Sequence, residues 1–169
     1  MPRQDLAGEP ELTVAAALRY LGRREYSAAE LRQRLANRGA TAADIESTLE
    51  YVRERGYQND ARAGECHIRR RIQYTPRGRA LVRQELMELG ITSELCTALM
   101  DEHYPPELEQ ELLRRLLAKE SLAEAQEFET FATQKRRLLR DKLARRMLAK
   151  GFRQSLVIEM LQEWLPVDL

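Results

Sequence analysis

Apolar residues recur along this chain at the three- and four-residue spacing of helix faces, and no stretch alternates apolar and polar positions as a half-buried strand would. Val14, Leu18 and Leu21 share one face of a first helix, which stops at Gly22, a residue suited to the left-handed conformation just past a helix end. Ser27 and Glu30 have the spacing of a capping box, in which each side chain satisfies a backbone N–H that the first turn leaves open. The second helix starts there, carries Leu31 and Leu35 inward and ends at Gly39. Thr41 with Asp44 opens a third, which carries Ile45, Leu49 and Val52 and is stopped by Gly56.

The same arrangement recurs when the chain is aligned on Gly39, Gly90 and Gly151. Eight residues before these glycines stand Leu31, Val82 and Leu143, and four before stand Leu35, Leu86 and Met147. Six after stand Ile45, Cys96 and Val157, and ten after stand Leu49, Met100 and Leu161. Generic amphipathic helices joined by glycine turns would explain the periodicity but not the shared offset across each turn. In the second unit Thr75 reads as the cap of the central helix and Pro76 as its first residue, where a missing N–H costs nothing. Its leading helix, from about Asp60 to Tyr74, carries a thin stripe of Ala63, Cys66 and Ile72. In the third unit Leu108, Leu112 and Leu116 mark a leading helix, and Ser121 to Thr130 reads equally as helix or loop. The expected fold is all-α, an elongated tandem array of three three-helix repeats at 11–57, 58–104 and 105–169 behind a flexible N-terminal tail at 1–10.

Composition agrees: 33% of residues are charged and only 6% aromatic, the profile of helices with wide solvated faces and no large single core. Arg3, Asp5 and Glu9 stand where a secretory signal would be apolar, and no segment approaches the ~20 apolar residues of a membrane span. Cys66 and Cys96 lack paired zinc-site spacing. A cytoplasmic monomer with reduced thiols is expected. Catalysis has no visible address. His67 and His103 have no second ligand at i, i+4, and Cys66 and His67, adjacent on a helix, project about 100° apart. No GxxxxGK loop, GxGxxG turn or GxSxG elbow is present, so no catalytic residue, metal or cofactor is expected and the protein should act by binding.

The formal net charge of +1 conceals two clusters. Arg69, Arg70, Arg71, Arg77, Arg79 and Arg83 span the junction of the first and second helices of the middle unit without an intervening acid. Lys135, Arg136, Arg137, Arg140, Lys142, Arg145, Arg146, Lys150 and Arg153 follow in the third unit against the single acid Asp141. Arginine's planar fork suits phosphate or carboxylate, so both runs are candidate contacts to nucleic acid or to an acidic protein face; a solvated helix face is the plain alternative. Two helices turning on glycine also suggest a helix-turn-helix, whose last helix would enter a major groove. Asp44, Glu46, Glu50 and Glu54, then Glu94, Asp101 and Glu102, then Glu159 and Glu163 occupy those last helices and would repel phosphate.

SAAELRQRLANRG (Ser27 to Gly39), GYQNDAR (Gly56 to Arg62), TPRGRALVRQELMELGI (Thr75 to Ile91) and KRRLLRDKLARRMLAKGF (Lys135 to Phe152) together resemble the bacterial RecX regulatory proteins, tandem three-helix repeats, over most of the chain. Family members often carry a bulky aromatic after the ND-x-R segment, where this chain has Ala63 and Gly64. The resemblance implies a modulator of the RecA recombinase, typically an inhibitor lodged in the groove of the RecA filament on single-stranded DNA, with no cofactor. Helices of ~15 residues are ~22 Å long, so three units in a row could touch successive protomers. The competing expectation is a non-specific nucleic-acid-binding helical module acting through phosphate contacts.

Overall fold

The computed structural model describes residues 6, 8–125 and 133–165. Among them are nine helices and no strand: α1 (Pro10–Leu21), α2 (Ala28–Ala36), α3 (Ala42–Glu54), α4 (Asp60–Gln73), α5 (Arg79–Glu88), α6 (Ser93–His103), α7 (Pro106–Ala125), α8 (Thr133–Ala149) and α9 (Gln154–Trp164). They form three successive triplets. All twelve apolar positions aligned on the three glycines are buried. Gly39, Gly90 and Gly151 adopt φ of 84°, 77° and 82°, the left-handed region that favours glycine. By contacts the chain gathers into two compact units, Met1–His67 with Glu85–Leu99, and Ile68–Gln84 with Met100–Leu169.

In the first unit α1 packs on α2 and α3, and α2 on α3, around Leu31, Leu35, Ile45, Leu49 and Val52. The capping box forms: the Glu30 N–H donates to Ser27 Oγ at 3.1 Å and the Ser27 N–H to Glu30 Oε2 at 3.2 Å. Thr41 Oγ1 accepts from the Asp44 N–H at 3.2 Å. Three expectations need correction. The fully buried residues of α1 are Thr13, Ala16 and Ala17, whose small side chains let it lie close against both partner helices; of the expected face, Leu21 packs half-buried against the core, Val14 is half-buried and Leu18 is exposed. Gly22 ends that helix at φ −69° in a right-handed turn, its N–H bonded to the Leu18 carbonyl at 2.9 Å, so no left-handed residue is needed there. The core also reaches into the expected tail: Leu6 is fully buried and donates its N–H to the Arg38 carbonyl at 2.9 Å.

On α4 the buried stripe is Ala63, Gly64, His67 and Ile68, while Cys66 is exposed. The expected stripe was rotated by one residue because an apolar reading passes over His67, whose Nε2 meets Glu85 Oε2 at 2.8 Å. Gly64 lets the helix close on Leu99 and Ile91, whose methyl carbons occupy the space of a Cβ.

In the second unit α7 packs on α8 and α9, and α8 on α9, around Leu113, Leu117, Leu143, Met147, Val157 and Leu161. Helix α7 continues through Ser121 to Ala125, and residues 126–130 of the stretch left open lie outside the described residues. Helix α5 starts at Arg79, so Thr75 and Pro76 stand in the loop before it rather than at its cap. Its first N–H groups are satisfied from elsewhere: Arg79 N–H donates to Glu109 Oε1 at 2.8 Å and Gly78 N–H to the Lys150 carbonyl at 2.8 Å.

The first unit contains the same latch. Ala28 N–H donates to Asp60 Oδ1 at 2.8 Å, and Ser27 Oγ donates to the Leu89 carbonyl at 2.5 Å. In both units the start of a central helix therefore rests on the glycine turn of the next central helix. In both it is completed by a carboxylate from the following leading helix. A Cβ on Gly90 would overlap that of Ala29, and one on Gly151 that of Leu81, so these glycines serve close approach as well as φ.

Candidate functional site

The first arginine cluster separates by role. Arg79 turns back on α6: its guanidinium donates to the carbonyls of Met100, at 3.4 Å, and Tyr104, and reaches Asp101 Oδ1 at 3.2 Å. It satisfies carbonyls that the last turn of α6 leaves open, a structural duty. Arg69 and Arg70 are exposed on α4, Arg83 is exposed on α5, and Arg71 donates to Thr75 Oγ1 at 2.9 Å. The Arg77 carbonyl accepts the Tyr104 hydroxyl at 2.6 Å, while Arg77 Nε is buried without a hydrogen-bond partner among the described residues. Burial, and then the nearby Glu109 charge, push the Tyr104 phenol above its ordinary pKa.

The second cluster lies along α8. Arg136 and Arg137 are exposed and Arg140 is half-buried, and none of the three forms an ion pair among the described residues. Arg145 Nε bonds the Asp141 carbonyl of its own helix at 3.3 Å, and Arg146 pairs with Glu120 at 3.2 Å. Arg153 Nε reaches Glu109 Oε2 at 3.2 Å, and Glu109 is fully buried. The Lys135 side chain lies outside the described residues.

The second unit brings part of each cluster to one cleft of about 440 Å³, lined by Tyr74, Arg77, Leu116, Lys119, Glu120 and Lys150 among others. Arg77 comes from the first run and Lys150 from the second, and Arg146 meets the cleft through its pair with Glu120. Sequence reasoning missed Lys119, which sits in the mixed charges of α7 and carries no local signal. It also missed Tyr74, although an aromatic between arginine runs was a usable clue. The Tyr74 side chain is 76% exposed, far more than packing requires.

The first unit treats its charge differently. Arg24 pairs with Glu30 at 2.6 Å, Arg32 with Glu46 at 2.7 Å and Arg62 with Glu25 at 3.1 Å. The hydrogen bond from Arg32 holds the exposed Glu46 carboxyl below its usual range. Among the described residues no group of three or more His, Cys, Asp or Glu could hold a metal ion, and no helix is long and apolar enough to cross a membrane. The acids of α3, α6 and α9 are exposed except for half-buried Asp44, leaving those helices with anionic faces.

Comparison with known proteins gives one answer. The family model described as RecX, first three-helix domain, matches residues 14–51. A protein named Regulatory protein RecX from Leptothrix cholodnii is 36% identical over 112 residues, covering 64% of this chain and 70% of that protein. The protein of the same name from Pasteurella multocida is 32% identical over 134 residues, covering 79% and 76%. The one from Chromohalobacter salexigens is 38% identical over 89 residues, and the match spans 58% of its length. The crystal structure of RecX from Lactobacillus salivarius superposes with a TM-score of 0.73 at 20% identity, covering 91% of this chain and 95% of that one, a likeness of fold.

Proposed function

Because this chain belongs to the RecX family, we propose that it binds the RecA filament on single-stranded DNA and lowers its ATPase and recombination activities. The observation that carries this reading is the α8 surface, where Arg136, Arg137 and Arg140 make no ion pair among the described residues. Cations without an ion pair among the described residues suit an anionic surface, and the guanidinium fork fits either a carboxylate of the recombinase or a phosphate of its DNA. The acidic faces of α3, α6 and α9 argue against reading a duplex by a recognition helix and leave contact through the leading and central helices. Binding of this kind uses no cofactor and no chemistry on the partner.

The test is the DNA-dependent ATPase of RecA on single-stranded DNA, titrated with this protein at well below one copy per recombinase, with bare-DNA binding measured at the same salt. The expected result is a fall in rate without matching occupancy of bare DNA, relieved by reversing Arg136, Arg137 and Arg140 to Glu. A rate that falls only when the protein coats the DNA would replace this reading with a phosphate-binding module, whose affinity drops steeply with salt.

A further inference from the structure

We infer that the cleft of the second unit is a subsite for single-stranded nucleic acid: one base stacks on Tyr74, and the adjoining phosphates meet Arg77, Lys119 and Lys150. The inference rests on the filament reading for its place in function, but its chemistry stands on the cleft.

Three observations converge there. The cleft, at about 440 Å³, lies within the ~300–1,000 Å³ range in which proteins hold small ligands. None of its three cations has an ion pair among the described residues, and its one acid, Glu120, is neutralised by Arg146. Finally, Tyr74 presents a ring at the rim that is 76% exposed.

The ring decides between ligands. An acidic peptide would need the cations and not the aromatic face, whereas a nucleotide uses both, since every base has a face to stack and stacking tolerates any sequence. A duplex keeps its bases stacked on each other and could use only the cations. The site therefore predicts a preference for single strands, with little dependence on sequence.

The experiment measures anisotropy of a fluorescein-labelled oligo-dT and of a duplex of equal length, with the full chain and without recombinase, over a range of salt. Tyr74→Ala should weaken oligo-dT binding about tenfold, leave the duplex unchanged, and be rescued by Tyr74→Phe. Lys119→Gln with Lys150→Gln should flatten the slope of log affinity against log salt by about 1.4, at ~0.7 per phosphate contact on a single strand. Arg136→Gln with Arg137→Gln, outside the cleft, should leave the Tyr74 effect intact. Equal affinity of the parent and Tyr74→Ala for oligo-dT would overturn the subsite, as would a loss identical on single strand and duplex. The recombinase assay is read separately: a parent chain that shows the Tyr74 pattern but leaves RecA ATPase untouched supports the subsite and sinks only the filament reading.

Discussion

In the first compact unit the start of α2 is closed by Asp60 and by the Ser27 hydroxyl on the Leu89 carbonyl, whereas in the second the start of α5 is closed by Glu109 and by the N–H of Gly78 on the Lys150 carbonyl. The first version is a set of ordinary hydrogen bonds around a partly buried carboxylate, with a true N-cap side chain. The second lacks that side chain, buries its carboxylate completely and holds it with Arg153. The same exchange runs through the surfaces. Arginines of the first unit meet carboxylates across its exterior; in the second Arg114, Arg115 and Arg146 do the same, Arg79 and Arg153 serve the latches, and Arg136, Arg137 and Arg140 meet no acid among the described residues. One repeat can thus be closed around a partly buried carboxylate with a serine N-cap, or around a fully buried carboxylate held by an arginine.

The sharpest way to break this comparison is at the glycines. Gly151→Ala should destabilise its unit by about 3 kcal/mol, combining left-handed strain of about 1–2 kcal/mol with overpacking on Leu81 of about 1–3 kcal/mol. Gly90→Ala should match it, against Ala29. Gly56→Ala, at φ 69° with nothing within 4 Å of the new methyl, should show only the strain, about 1 kcal/mol. Urea denaturation followed by circular dichroism measures all three, and equal losses would show that close approach costs nothing.

Next in size are the carboxylates. Glu109→Ala should cost about 2–3 kcal/mol because it opens the α5 start and strands a charge-assisted bond, while Asp60→Ala should cost about 1 kcal/mol, an ordinary cap. The same denaturation series checks the ranking, and the reverse order would mean that neither the burial of Glu109 nor its bond to Arg153 sets the strength of the latch.

The smallest effect is confined to alkaline pH. Burial raises the Tyr104 pKa in the folded state, so its contribution is complete below about pH 10, the phenol's unfolded value, and is lost as pH rises through the folded one. One unit above that value, stability should fall by about 1 kcal/mol through this group. Tyr104→Phe should remove that slope while giving up the bond to the Arg77 carbonyl at every pH. Denaturation midpoints between pH 8 and 11 report both.

These contrasts also explain what could be read from the chain beforehand. The repeat was legible because burial imposes a period and a left-handed turn imposes glycine, and both are local; hence the aligned leucines are buried and Ser27 caps as its spacing predicts. The start of α5 was not, because its cap is Glu109, 30 residues away, and a Thr-Pro pair mimics a local one. His67 was passed over as polar although its ring is buried against Glu85. Among the arginines, Arg79 and Arg83 look alike in an unbroken run. Only the position of the α6 carbonyls tells that Arg79 is spent on the fold. Lys119 joins the cleft by folding, not by spacing.

The latch has a consequence for how the chain is made. A ribosome releases residues from the N-terminus at roughly 5–20 per second, so α2 emerges before Asp60 and before the Leu89 carbonyl that its cap holds. The first triplet buries its own core from α1, α2 and α3, and its middle helix gains these two further bonds only once Asp60 and then Leu89 have left the tunnel.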